Sequence, residues 1–191
     1  MLDAPALFLI GVRPHSLVVL QGCSSMLKIR PACKEDFARI DELFDEARAY
    51  MISYGNPTQW TNGFPNSSTL EEPLAKGEAF VCYDDEHNDL VVGVFVLSHE
   101  ESVYHQLDGK WSADRPYVVI HRLATASGFG AGQFIFNEVM KNHDYIRVDT
   151  HKANKPMLHI MEKLGFKHIG DVIYERPGGD GVRICFDYLK A

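Results

Sequence analysis

The sequence predicts a single α/β domain with about seven strands and four helices. The chain has 191 residues, 46% of them apolar, which is enough to bury one core and short for two domains. Apolar residues recur at spacings of three and four through residues 34–54, as in an amphipathic helix. The second half alternates short β-rich runs with helical runs. The predicted order is therefore βααββ, βα, βα, ββ.

Local patterns place each element. The predicted strands are 27–30, 78–83, 90–97, 117–124, 145–149, 167–174 and 182–189, and the predicted helices are 34–54, 69–76, 132–142 and 154–164. The polar run 84–89 and the glycine-rich run 177–181 are typical of the turns of two hairpins.

Residues 1–25 do not fit the domain pattern. Their two apolar runs are interrupted by Arg13, Pro14 and His15, so neither run reaches the ~20 residues that span a bilayer. The same interruption is atypical of a secretory signal. We therefore expect residues 1–25 to be a tail outside the core, residues 26–191 to form the functional domain, and no membrane partner.

Charge and cysteine usage exclude several classes of function. The net charge of -7 repels phosphate backbones, so no nucleic-acid partner is expected. Cys23, Cys33, Cys82 and Cys185 form no C-x-x-C pair and have no histidine at zinc-site spacing. The sequence therefore predicts reduced thiols in a cytoplasmic protein, and no metal.

A glycine-rich turn, Ser127 to Gly132, stands between a predicted strand and a predicted helix. Small residues in succession let backbone N–H groups point into one concavity at a helix N-terminus, where the helix dipole favours an anion. A Cβ at Gly130 or Gly132 is expected to crowd that approach. The pattern predicts a pyrophosphate-binding turn.

A second motif follows: Asp149-Thr-His-Lys-Ala-Asn154 leads into a helix that closes with Leu164-Gly-Phe166. With both motifs in this order and spacing, residues 117–191 resemble the GNAT superfamily, the general N-acetyltransferases. The resemblance implies a mixed, mostly antiparallel central sheet of about seven strands flanked by about four helices. It also implies acetyl-CoA as co-substrate and direct transfer of its acetyl group to an amine. The acceptor is left open among small-molecule amines, amino acids, aminoglycosides and peptide N-termini, as is a homodimer.

The resemblance further implies where acetyl-CoA binds. Backbone groups near Leu123 and Thr125 are expected to pair with the pantetheine arm, and the turn 128–132 to hold the pyrophosphate. The implied cofactor-binding residues are Leu123, Ala124, Thr125, Gly128, Phe129, Gly130, Ala131, Gly132, Gln133 and Asn154. For Asn154, a plain helix N-cap is an equal alternative.

Two positions depart from the family pattern. Ser127 stands where the family usually has Arg or Gln, so phosphate binding depends more on backbone amides. Met161 stands where members commonly carry the tyrosine that protonates the leaving thiolate. These departures keep two alternatives open: a GNAT-like module that senses acyl-CoA without transferring it, and a non-enzymatic α/β domain with a merely tight glycine turn.

His121 is the leading candidate for the catalytic base. It precedes Leu123 by two residues, so strand alternation is expected to put both side chains on one face. The reference pKa of imidazole, about 6.5, suits removal of a proton from an ammonium. Asp149 and His151 are rival bases, and a histidine satisfied within the sheet is the structural alternative.

Aromatic residues in the irregular segments 55–68 and 99–115 are the candidates for acceptor binding. Trp60, Tyr104 and Trp111 are predicted to contact the substrate, with anchoring of their loops to the core as the alternative. Glu101 and His105 lie among them and are further candidates for contact with the amine.

Overall fold

The computed structural model describes residues 26–175 and 180–190, so the predicted tail 1–25 lies outside the described residues. Within them the strands are β1 (Leu27–Pro31), β2 (Ala79–Asp84), β3 (Leu90–Ser98), β4 (Asp108–Gly109), β5 (Val118–Thr125), β6 (Tyr145–Thr150), β7 (Lys167–Ile173) and β8 (Val182–Leu189). The α-helices are α1 (Phe37–Ser53), α2 (Glu71–Ala75), α3 (Ala131–Asn142) and α4 (Lys155–Lys163). None of these helices is long and apolar enough to cross a membrane.

All strands join one sheet in the order β1-β2-β3-β5-β6-β8-β7-β4. Neighbours are antiparallel except for β5 and β6, which run parallel. The predicted mixed, mostly antiparallel sheet is confirmed, with one strand more than expected. The extra strand, β4, has only two residues, too few for a sequence pattern to indicate.

The helices cover both faces of the sheet. Helices α3 and α4 pack on one face, where Ile135, Phe136 and Met161 join a core with the sheet residues Ile120 and Val148. On the other face, α1 contributes Ile40, Leu43 and Phe44 to a second core. The spacing of three and four that predicted α1 is therefore the spacing of its buried side.

The parallel strands β5 and β6 pair only at their beginnings. Val118 pairs with Ile146 and Val119 with Arg147. Beyond that point β5 stays paired with β3 on its outer side as far as Thr125. Strand β6 likewise stays paired with β8 as far as Thr150. The inner edges of the two strands therefore face each other across a gap in the middle of the sheet.

Candidate active site

A cavity of about 440 Å³ lies at the gap between β5 and β6. Its walls come from the second half of β5, the end of β6, the start of α4, the end of α1 and the loop that follows α1. The lining residues that matter below are Glu101, His121, Arg122, Leu123, Ala124, Thr125, Gly132, Asp149, Thr150, Asn154, Tyr50, Tyr54, Trp60, Phe64, Tyr174 and Arg183.

A β-bulge shapes the β5 wall. His121 pairs with Val96 and Ala124 with Val94, so Arg122 and Leu123 together oppose the single residue Phe95. Arg122 has a φ of 48°, in the left-handed region. A bulge of this kind leaves its extra residue out of the ladder and re-aims the neighbouring groups.

The bulge overturns the expectation that His121 and Leu123 share a face. Leu123 packs with Ile120 in the core beneath α3 and α4. His121 instead lies on the other side, near Tyr104 and Glu101. One extra residue between them breaks the period of two on which the expectation depended.

His121 is paired with a carboxylate at the cavity. Its Nε2 lies 3.3 Å from Oε2 of Glu101, and the two side chains are only 17% and 22% exposed. Glu101 is itself positioned, because its Oε1 accepts a hydrogen bond from the backbone N–H of Val103 at 3.3 Å. A carboxylate at this distance stabilises a positive charge on an imidazole.

Asp149, the second catalytic candidate, also lines the cavity and is held by two phenols. Its Oδ2 accepts hydrogen bonds from the hydroxyls of Tyr104 and Tyr174, each at 2.9 Å. Burial raises the pKa of Tyr104 well above its ordinary value, with the negative charge of Asp149 adding to the effect. Tyr104 is therefore a permanent donor. Its ring centroid is also 6.4 Å from that of His121, so Tyr104 connects both candidates.

The rival base His151 has a structural role. It is 4% exposed, its Nδ1 accepts the backbone N–H of Ala153 at 3.1 Å, and its Nε2 lies 3.1 Å from Oδ2 of Asp180. Since Nδ1 accepts a hydrogen bond, the neutral ring carries its proton on Nε2 and donates it to Asp180. The backbone N–H of Val182, followed by His151, lowers the pKa of Asp180. His151 thus ties the start of α4 to the start of β8.

The glycine turn has a backbone that glycine adopts readily. Gly128 has a φ of 90° and Gly130, the N-cap of α3, a φ of 69°. No side chain of the described residues caps α3. A Cβ at Gly130 meets nothing within 4 Å, and one at Gly132 touches only Ile160 at 3.4 Å and Thr125 at 3.9 Å. Protein atoms therefore leave the space at Gly130 open, so a Cβ added there would crowd a ligand at the turn and not the protein itself.

The other predicted cofactor-binding residues divide into two groups. Those on the cavity wall are Leu123, Ala124, Thr125, Gly132 and Asn154. Phe129, Gly130 and Gln133 line a shallow groove beside the turn, together with residues 26–28. Gly128 and Ala131 line neither, and Ala131 is buried in the core.

Asn154 fits both readings of its role. Its Oδ1 accepts the backbone N–H of Met157 at 3.3 Å, so it caps α4. The same oxygen accepts the hydroxyl of Tyr54 at 3.3 Å. Asn154 also lies on the cavity wall, where its side chain can meet a ligand.

Of the three predicted substrate contacts, the structure brings only Trp60 to the cavity. Trp60 packs edge-on against Phe44 with ring centroids 5.8 Å apart. Tyr104 is 3% exposed, behind the wall. Trp111 stacks on the Arg147 guanidinium, 4.2 Å from its ring centroid, and so anchors the segment 99–115. The contacts of Tyr104 and Trp111 therefore correspond to the alternative role, in which they anchor the segment 99–115 to the core.

Sequence reasoning missed several cavity residues. They are Glu46, Tyr50, Tyr54, Thr150, Tyr174 and Arg183. Tyr50 and Tyr54 are four residues apart at the end of α1, and this spacing could have indicated that they share a side of the helix. The remaining residues have no such local signal.

Met161, Cys82 and Cys185, whose side chains could have taken part in the chemistry, lie in the core instead. Met161 lies on α4, is fully buried in the core between the helices and the sheet, and does not line the cavity. Burial raises the pKa of the Cys82 thiol to about 12 and likewise raises that of Cys185. Thiols that stay protonated are poor nucleophiles, which agrees with transfer that needs no acyl-enzyme.

Several solved acetyltransferase structures are similar to this chain. A GNAT-family acetyltransferase from Streptococcus agalactiae 2603 has a TM-score of 0.76 and 28% identity, over 86% of this chain and 96% of its own. A GNAT-family acetyltransferase from Listeria monocytogenes 4b F2365 has a TM-score of 0.59 and 17% identity, over 85% and 94%. NAA60 from Arabidopsis thaliana, solved in complex with acetyl-CoA, has a TM-score of 0.58 and 14% identity, over 85% and 99%.

No protein-family model matches the chain, and no curated protein matches it either. The assignment therefore depends on the sheet order, the diverging strands and the glycine turn, together with the likeness to the streptococcal acetyltransferase. On these grounds the chain is a member of the GNAT superfamily of acetyltransferases.

Proposed function

We propose that this protein transfers the acetyl group of acetyl-CoA to an amine. The observation that carries the proposal is the gap between β5 and β6, where a bulge at Arg122 faces a cavity next to an uncapped helix N-terminus. These are the backbone features that an extended, phosphate-bearing thioester needs: unpaired strand edges and a concentration of N–H groups.

The residues at the site fit acetyl-CoA. The backbone amides of 128–132 would hold the pyrophosphate, and the inner edge of β5 at Leu123 to Thr125 would pair with the pantetheine arm. Thr150 supports this assignment independently. Its Oγ1 is buried on the cavity wall and has no hydrogen-bond partner among the described residues. A buried hydroxyl without a partner is costly, and a ligand amide in the gap would satisfy it.

Each catalytic requirement has a candidate group in the cavity. Acetyl-CoA, when bound, supplies the thioester whose carbonyl carbon an amine attacks. A backbone N–H at the bulge, near Leu123, donates to the carbonyl oxygen as negative charge develops there. His121 accepts the proton that the amine nitrogen loses, and Glu101 stabilises the resulting imidazolium. Asp149, fixed by two phenols, contributes negative charge on the same side.

A nitrogen acceptor is favoured over other nucleophiles by the charges at the wall. The carboxylates of Glu101 and Asp149 line the cavity beside His121, an arrangement that attracts an ammonium and can then deprotonate it.

A sensor that binds acyl-CoA without transferring it is the second candidate. The specific observation in its favour is Met161, which occupies the place of the family's usual acid and is fully buried in the core. Transfer then requires that another group assist the leaving sulfur.

The test is release of free thiol from acetyl-CoA with a panel of spermidine, lysine, kanamycin and a peptide with a free N-terminus. Amine-dependent thiol release supports the enzyme. Stabilisation by acetyl-CoA in a thermal shift assay, without thiol release, supports the sensor. Absence of both contradicts the proposed function.

A cytoplasmic location is part of the proposal. Cys33, Cys82 and Cys185 are free thiols, as is usual in a reducing compartment.

A further inference from the structure

The glycine turn and the first turn of α3 supply backbone amides for the pyrophosphate, but no cationic side chain. Residues 125–134 contain neither lysine nor arginine. The N-terminus of a helix presents about half a positive charge, which is less than the negative charge of a pyrophosphate. Further positive charge is therefore expected from another part of the chain.

Helix α4 brings a lysine to this turn. Its residues Met157 and Ile160 line the cavity, and a Cβ on Gly132, the second residue of α3, would lie 3.4 Å from Cδ1 of Ile160. Lys163 follows Ile160 by three residues, so it lies on the same side of α4. Its Nζ donates a hydrogen bond to Oε1 of Gln133, the third residue of α3, at 2.8 Å. The ammonium is thus held beside the first turn of α3.

The charge of Lys163 has no carboxylate in an ion pair with it among residues 26–175 and 180–190. Its acceptor is a neutral amide, which leaves two N–H donors of the ammonium for other acceptors. Lys28, which lines the groove beside the turn, differs because it forms an ion pair with Asp85. The C-terminus of α4 favours the cation of Lys163, whereas the N-terminus of α3 has the same sign of charge. An anion at the turn would interact favourably with both the ammonium and α3.

The residues around Lys163 are also predominantly basic. Residues 151–168 contain four lysines and one carboxylate, that of Glu162, in a chain whose net charge is -7. A local excess of positive charge attracts anions. The side of the turn that faces α4 is therefore better suited to phosphates than the groove beside β1, where Asp85 pairs with Lys28.

We propose that Lys163 binds the pyrophosphate of acetyl-CoA and that Gln133 holds its ammonium in position for this contact. The inference rests on the proposed acetyl transfer, because it takes acetyl-CoA as the ligand. Thr150 indicates a ligand independently of the turn: its buried Oγ1 lies on the cavity wall and has no hydrogen-bond partner among the described residues. A ligand that satisfies Thr150 in the gap and continues past Ile160 reaches the turn between α3 and Lys163.

The test measures the Kd of CoA and of 3′-dephospho-CoA by isothermal titration calorimetry. Both ligands contain the pyrophosphate, and only CoA contains the 3′-phosphate. At about 50 mM NaCl, Lys163→Met should weaken the binding of both by about three- to tenfold, as expected for a hydrogen bond between charged groups at a surface. At about 500 mM NaCl the loss should be smaller, because salt screens exposed charges. Lys163→Arg keeps the charge and should stay within about twofold of the wild type.

Lys167→Met is the matched control. Lys167 is also exposed and lies at the start of β7, and it lines neither the cavity nor the groove. The variant makes the same change in net charge and should keep both Kd values within about twofold. An equal loss in Lys167→Met and Lys163→Met would mean that only the general charge around α4 acts, and would overturn the inference. A loss in Lys163→Met for CoA alone would place the lysine at the 3′-phosphate and would overturn it too.

The outcomes distinguish this inference from the proposed function. If the wild type binds neither ligand and releases no thiol from acetyl-CoA, the proposed function fails and the inference fails with it. If the wild type binds CoA and releases thiol, but Lys163→Met binds both ligands as tightly as the wild type, only the role of Lys163 is refuted.

Discussion

Replacement of Gly130 by valine tests the phosphate-binding turn. Gly130 has a φ of 69°, and a Cβ there meets nothing within 4 Å. The left-handed conformation costs an L-residue about 1–2 kcal/mol, which lowers the Tm by about 2–8 °C at 2–4 °C per kcal/mol. Acetyl-CoA at 100 times its Kd stabilises the folded wild type by about 2.7 kcal/mol, a rise of roughly 5–11 °C. In Gly130→Val this rise should disappear, because the side chain occupies the space that the turn amides face.

The matched control is Gly77→Val, just after α2. Gly77 has a φ of 72°, and a Cβ there also meets nothing within 4 Å, but it lies outside the cavity and the adjacent groove. Its Tm without ligand should fall as far as that of Gly130→Val, whereas the rise with acetyl-CoA should remain. Differential scanning fluorimetry with and without acetyl-CoA measures both effects. A folded Gly130→Val protein with a rise of wild-type size would refute the assignment of the turn.

The remaining predictions concern catalysis and stability. His121→Gln should lower kcat/KM by about 100-fold or more and flatten the acidic limb of its pH profile; near-normal activity with the same limb would remove His121 from the mechanism. Tyr104→Phe removes one hydroxyl from Asp149 and should lower the free energy of unfolding in urea by about 1.5–3 kcal/mol; an unchanged midpoint would contradict that bond. Burial raises the pKa of Asp36, but hydrogen bonds, chiefly from Arg30, outweigh this and leave it lowered. The stability from Asp36 is thus present above its unfolded pKa of about 3.9 and is lost as pH falls through the folded value. Asp36→Asn should flatten the acid limb of stability, and an equally steep limb would count against the pair.

The features that sequence reasoning predicted are local ones. The strand and helix spans follow from hydrophobic periods of two and three to four, which a few consecutive residues suffice to reveal. The turn at 127–132 and the N-cap at Asn154 depend on residue types that have their conformational preference built in. His121 and Asp149 come to one cavity because the ends of neighbouring strands meet at one place in the sheet.

Tertiary structure decided the parts of the site that depend on distant partners. The bulge at Arg122 arises from the register of β5 against β3, and it placed His121 and Leu123 on opposite faces although alternation predicted one. The hydroxyl of Tyr104 found Asp149 across 45 residues of chain, and that of Tyr54 found Asn154 across 100.

The sequence by itself thus determined the order of the longer elements and the position of the glycine turn, because backbone preference and hydrophobic period act over a few residues. Only the tertiary structure decided which strand edges stay unpaired in the gap and which side chains reach the cavity. Both depend on how the register of one strand fits its neighbours, and a one-residue change in register moves every following side chain to the other face.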